Sequence, residues 1–114
     1  EVAQRRYASS MLVIQELLDD APPEDRGVLT FYLGEAHRKH DGPGDDVKAA
    51  DLYARAVTMP GTPIAAWREH GYALAAAGRN SEARVALDKY LQSSPQADDR
   101  AFVQRALDKL GGTN

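Results

Sequence analysis

The chain has 114 residues, 43% of them hydrophobic and 27% charged, with a formal net charge of -3 and no cysteine. That size fits one domain, and the composition is that of an ordinary globular protein. Disulfide frameworks and thiolate metal sites are excluded, a net-acidic chain argues against a general nucleic-acid binder, and the longest apolar runs, MLVI at 11–14 and ALAAA at 73–77, are far too short to insert across a bilayer. No signal peptide is visible. The first residue is Glu1 rather than methionine, so the chain is expected to be a piece of a longer protein. Its compartment stays open between cytoplasm and bacterial periplasm or envelope.

Nothing alternates with period two over a useful length, whereas helix punctuation recurs. The breaks at Pro22-Pro23, HDGPGDD (40–46), PGTP (60–63), GRN (78–80) and SSPQADD (93–99) leave six stretches of helical length. They are expected near 3–20, 25–40, 46–58, 63–77, 81–93 and 99–110. The first carries Met11, Leu12, Ile14, Leu17 and Leu18 as an apolar face. Asp45 or Asp46 is placed to cap the third. Thr62 is a good N-cap for the fourth, with Pro63 at the first helical position. Gly78 stands where a left-handed C-terminal cap is usual, and Asn80 can cap the fifth, with Glu82 in its first turn. In the sixth, capped by Asp98 or Asp99, Phe102, Val103, Ala106, Leu107 and Leu110 form an apolar stripe. Arg100, Gln104, Arg105, Asp108 and Lys109 form its wet side, and GGTN (111–114) reads as a frayed end. The chain is therefore expected to be all-α, with successive helices antiparallel.

Self-comparison adds a repeat. AADLYARAV (49–57) and ARVALDKYL (83–91) share a frame, with Ala49 on Ala83, Tyr53 on Leu87 and Ala56 on Tyr90, each pair 34 residues apart. The preceding segments align YLGEAHRKH (32–40) on EHGYALAAA (69–77), which puts Gly34 on Gly71. Trp67, Gly71, Ala83, Leu87 and Pro95 meet the pattern W-x2-L-G-x2-Y, A-x3-F-x2-A, P, and on these residues the sequence resembles the tetratricopeptide repeat family. His70, Leu74 and Tyr90 depart from it. The earlier copy keeps Leu33, Gly34, Ala49, Tyr53 and Ala56 but has Thr30 and His37 where Trp67 and Leu74 stand.

The resemblance implies a short right-handed α-solenoid of antiparallel helix pairs. Its parts are a first helix or worn repeat at 3–20, repeats at 27–61 and 64–95, and a capping helix at 98–110. It also explains two glycines inside helices, each costing about 1 kcal/mol against alanine. Gly34 and Gly71 would lie where the two helices of a repeat cross, beside Leu33 or Trp67 and the large residue at 53 or 87. Burying such side chains contributes about 1.5–3 kcal/mol each. The tail YLQSSPQADDRAFVQRALDKL is also similar to repeat modules of Gram-negative bacteria, including those joined to membrane-associated zinc metallopeptidases and those of envelope lipoproteins. No HExxH is present, so nothing catalytic carries over.

Candidate chemistry is thin. His37, His40 and Asp41 have ligand spacing, but Arg38 and Lys39 oppose a divalent cation and no second ligand pair exists, so no metal is expected. His70 beside Glu69 lacks a nucleophile, occupies a leucine position of the repeat, and is expected to pack half-buried. Paired carboxylates at helix ends (Asp19-Asp20, Asp45-Asp46, Asp98-Asp99) are explained by capping. GPG at 42–44 follows no strand and precedes no GKS or GKT. No catalytic residue or cofactor is expected.

The family's concave face supplies the remaining candidate. By the resemblance it falls on Val28, Phe31, Glu35, Arg38 and Lys39, then on Ala65, Arg68, Tyr72, Ala75 and Ala76. Phe31 and Tyr72 would be aromatic anchors, and Arg38, Lys39 and Arg68 carboxylate partners. The expectation is a non-catalytic protein–protein interaction or scaffolding module that binds a peptide or helix. The alternatives are an accessory segment of an envelope metallopeptidase or lipoprotein, and a module that self-associates through its first helix.

Overall fold

The computed structural model describes residues 2–111. Among them it is all-α, with six helices: α1 (Val2–Asp19), α2 (Pro23–His40), α3 (Asp45–Ala56), α4 (Ala65–Ala76), α5 (Asn80–Ser93) and α6 (Arg100–Gly111). The expected frayed end falls on residues 112–114, outside the described residues, and on Gly111, which closes α6. The chain divides into two bodies, Glu1–Pro63 and Ile64–Asn114.

In the first body α2 and α3 form a hairpin. Numbers fall along one helix as they rise along the other: His40 meets Asp45, Gly34 meets Leu52 and Tyr53, and Gly27 meets the 59–62 turn. The pair is therefore antiparallel. A Cβ at Gly34 would stand 2.9 Å from Tyr53 Cε1 and 3.4 Å from Leu52 Cβ, which makes the glycine the contact point between helix axes. Gly27 plays the same part against Pro60 O (2.8 Å) and the Thr62 hydroxyl. Leu18 of α1, Leu33 of α2 and Leu52 of α3 form the core, with Met11, Ile14 and Leu29 against it. Leu12 (70% exposed) and Leu17 (54% exposed) leave the apolar face expected of α1 and turn outward. On the helix they flank the stripe made by Met11, Ile14 and Leu18, Leu12 on one side and Leu17 on the other.

The second body repeats the device. Gly71 of α4 lies on α5, where a Cβ would sit 2.6 Å from Leu87 Cδ2 and 2.7 Å from its Cγ. Leu87, Tyr90 and Leu91 of α5 pack with Val103 and Leu107 of α6, and Trp67 and Tyr72 of α4 join them. Leu74, Ala83 and Ala86 close the other end, with Leu110 against them. In α6 the expected stripe holds except at its edge, where Phe102 is 59% exposed.

The helix ends depart from expectation in one direction. Gly78 does end α4, with φ +78° and the paired bonds Arg79 N–H to Leu74 O (2.9 Å) and Gly78 N–H to Ala75 O (3.0 Å) of a Schellman turn. The expected side-chain N-caps are not used. Thr62 instead donates backward to Ala56 O (2.6 Å), with Met59 O at 3.0 Å, satisfying carbonyls left open at the end of α3. α4 starts only at Ala65, so Pro63 is not its first residue. Asn80 is the first residue of α5 and Arg79 its N-cap. Gly44, left-handed at φ 80°, precedes α3, which makes Asp45 its first residue rather than its cap. Asp99 does accept the first α6 bond on its backbone carbonyl, from Val103 N–H at 3.0 Å. Its carboxylate, like that of Asp45, goes elsewhere.

Candidate functional site

In the first body the α2 residues expected on an open face separate into core and surface. Phe31 is not an exposed anchor: it is 4% exposed, its ring 5.9 Å from that of Tyr53 and 5.2 Å from that of Tyr32. It lies three residues before Gly34, on the face that α3 covers. Glu35 and Arg38 are brought together. Arg38 donates to Glu35 Oε1 from Nε (3.2 Å) and Nη2 (3.1 Å), and Tyr53 donates its hydroxyl to the same oxygen at 2.6 Å. Burial, reinforced by the Glu35 bond, pushes the Tyr53 phenol well above its usual range, so it stays a donor. A buried hydroxyl therefore fixes a charged pair whose arginine is 47% exposed. Lys39 stands exposed beside it and Val28 is half-buried.

At the α2–α3 turn, His37 donates Nδ1–H to Asp45 Oδ1 and His40 donates Nδ1–H to Asp45 Oδ2, both at 2.6 Å. Gly42 N–H adds a third bond at 2.7 Å. The His37 bond, helped by His40 and Gly42, overcomes burial and holds the Asp45 carboxyl at about 2. A carboxylate only accepts, so both imidazoles carry their proton on Nδ1. The carboxylate that both histidines meet is thus Asp45. Among the described residues no group of three or more acidic, histidine or cysteine side chains has the arrangement to hold a metal.

In the second body Arg68 is not an open carboxylate partner. It donates to Glu69 Oε2 at 2.8 Å and to Asp99 Oδ2 at 3.0 Å, lies 5.5 Å over the Tyr90 ring, and is 25% exposed. Tyr90 donates its hydroxyl to Asp99 Oδ1 at 2.7 Å, and this bond, with Arg68 beyond it, lowers the Asp99 carboxyl. The network fastens α4 and α5 to the start of α6. Tyr72 packs edge-on to Phe102 at 6.2 Å, with its hydroxyl buried and its pKa raised by that burial. Ala65 and Ala75 are half-buried and Ala76 is exposed. His70 packs against Trp67 at 6.1 Å, where burial lowers its pKa, and Lys89 Nζ covers the Trp67 ring at 5.0 Å.

Sequence reasoning missed the hollows of the first body. Two adjoining ones, of about 270 and 420 Å³, form a trough between α1 and α3 and share Gln15, Leu33, Leu52 and Arg55. Arg26, Thr30 and Met59 continue it at one end, and His37, Val47 and Lys48 at the other. A third, of about 430 Å³, opens where α1 turns into α2. No local signal marks these positions, because the trough exists only once α1 and α3 flank α2. Comparison with protein-family models, with curated proteins and with solved structures gave no match to this chain.

Proposed function

We propose that the chain is a non-catalytic interaction module, built from two helical hairpins of the tetratricopeptide kind, that holds a segment of a partner protein. The observation that carries this reading is the trough between α1 and α3. Its floor is apolar at the end lined by Leu33, Leu52 and Val47, the last 74% exposed. Its rim carries both signs of charge, through Asp19, Arg26, Lys48, Asp51 and Arg55. An apolar floor takes side chains from a segment while a polar rim satisfies that segment's own polar groups. Kinship with the repeat family is supported by two glycines, Gly34 and Gly71, that face the aligned residues Tyr53 and Leu87, the first copy carrying three extra residues in its turn. Arg38, Lys39 and Glu35 make a second charged patch suited to a carboxylate-bearing partner. The histidines fit a structural role in this reading, since His37 and His40 are bonded to Asp45 and His70 packs on Trp67. Hollows this small favour weak binding alone, strengthened by neighbouring domains.

Peptide-display selection against the full chain, followed by anisotropy titration, tests this. Selected peptides are expected to bind about fivefold more weakly to Val47→Asp/Arg55→Glu. Peptides indifferent both to that pair and to Arg38→Ala/Lys39→Ala would overturn it. A second reading, self-association, is favoured by Leu12, Val13 and Leu17, all more than half exposed on α1. Sedimentation across a concentration range separates the two.

A further inference from the structure

We infer that the hollow at the α1–α2 turn is a docking site for a basic, aliphatic segment of a partner protein, one carrying arginine or lysine on either side of a leucine-like residue. This surface is distinct from the trough and does not depend on it.

The floor is apolar, made by Leu17, Val28 and Leu29, and the rim is three carboxylates, Glu16, Asp20 and Asp25. No cation lines it. Among the described residues none of the three acids makes an ion pair or a side-chain hydrogen bond. Arg26, the nearest base in sequence, is turned away and donates to Leu18 O at 3.0 Å.

The placement of the acids is the second observation. Glu16 and Asp19 lie in the last turn of α1, which holds no basic residue, and Asp20 follows directly. Negative charge at a helix C-terminus opposes the macrodipole. Glu24 and Asp25 in the first turn of α2 add like charge nearby, although their own helix favours them. Folding thus brings together carboxylates that repel, around an apolar surface that is left open. A neutral apolar ligand would strip water from these carboxylates without replacing it, and an acidic one would add repulsion. A lysine or arginine side chain answers both demands, since its stem covers apolar surface while its head reaches a carboxylate.

The probe is a labelled peptide of alternating arginine and leucine, titrated into the full chain by fluorescence anisotropy. Its counterpart has glutamate for arginine. Saturable binding of the basic peptide alone is expected, weakening as salt rises. Glu16→Gln/Asp20→Asn/Asp25→Asn should lower its affinity about tenfold, and Leu17→Ser should lower it severalfold. Methyl resonances of Leu17 and Val28 should shift on binding, and far-UV circular dichroism checks that each variant is folded. The control Asp46→Asn/Asp88→Asn/Asp98→Asn removes the same charge elsewhere. An equal loss in the control would show attraction by net charge and overturn the proposal. So would comparable binding of the acidic peptide, no saturable binding, or self-association of the chain that the rim triple variant abolishes.

Discussion

Replacing Gly71 by alanine sets two known effects against each other at one atom. Alanine gains about 1 kcal/mol of helix propensity. Its Cβ, however, would stand 2.6 Å from Leu87 Cδ2, 2.7 Å from Cγ and 3.3 Å from the Leu87 backbone nitrogen. Leu87 is fully buried, so its Cγ cannot swing clear, and the nitrogen is fixed in α5. Overpacking of this kind costs about 1–3 kcal/mol. The net expectation for Gly71→Ala is a loss of about 1 kcal/mol. Leu87→Ala alone should cost about 2–5 kcal/mol through the cavity it leaves. In the double variant the new methyl enters that space, so the two changes should couple favourably by about 1–2 kcal/mol. Urea unfolding followed by Trp67, the chain's only tryptophan and packed in the same cluster, reads all three. Gly111→Ala serves as control, because nothing lies within 4 Å of its Cβ position. A Gly71→Ala variant more stable than the parent, or strict additivity in the cycle, would refute the close-approach argument.

Other outcomes follow from the polar networks. Asp45 is held at about 2 against an ordinary 3.8, so its contribution is complete above pH 3.8 and is lost as pH falls toward 2; Asp45→Asn should remove that acid-limb slope in circular-dichroism titrations. Burial lowers the His70 pKa below 6.5, so the unfolded chain takes up the proton first and stability declines as pH falls below 6.5. His70→Leu should flatten that decline and raise stability by about 1 kcal/mol; a variant that keeps the slope would contradict this. Arg68→Ala removes the cation that bridges Glu69 and Asp99 and should cost about 1–2 kcal/mol. Amide exchange should report that loss first in α6, and an effect confined to α4 would speak against the fastening role.

The helices were legible because periodicity and punctuation are local. Each predicted stretch lies within about two residues of an observed helix at either end, and Gly78 behaves as its position dictates. Gly34 and Gly71 were also readable, since a glycine inside a helical pattern needs a reason. Gly27 has the same reason and went unread, because its neighbour is a turn more than thirty residues on. The candidate binding face was less legible. Periodicity says that Phe31 and Arg38 share a helix, not that α3 covers one and leaves the other exposed. The same limit hid the fate of Asp45 and Asp99. A carboxylate at a helix start reads as a cap, yet His37 and His40, or Tyr90 and Arg68, offer better donors once the tertiary structure forms.

The two contact glycines of α2 lie seven residues apart, at 27 and 34, so they face the same way. Together they cost that helix about 2 kcal/mol of intrinsic helicity, and what offsets the loss is the close approach of α3 and the 59–62 turn. Cut off from those neighbours, α2 would melt rather than persist as a helical peptide. The hairpin must therefore form and dissolve as one cooperative event.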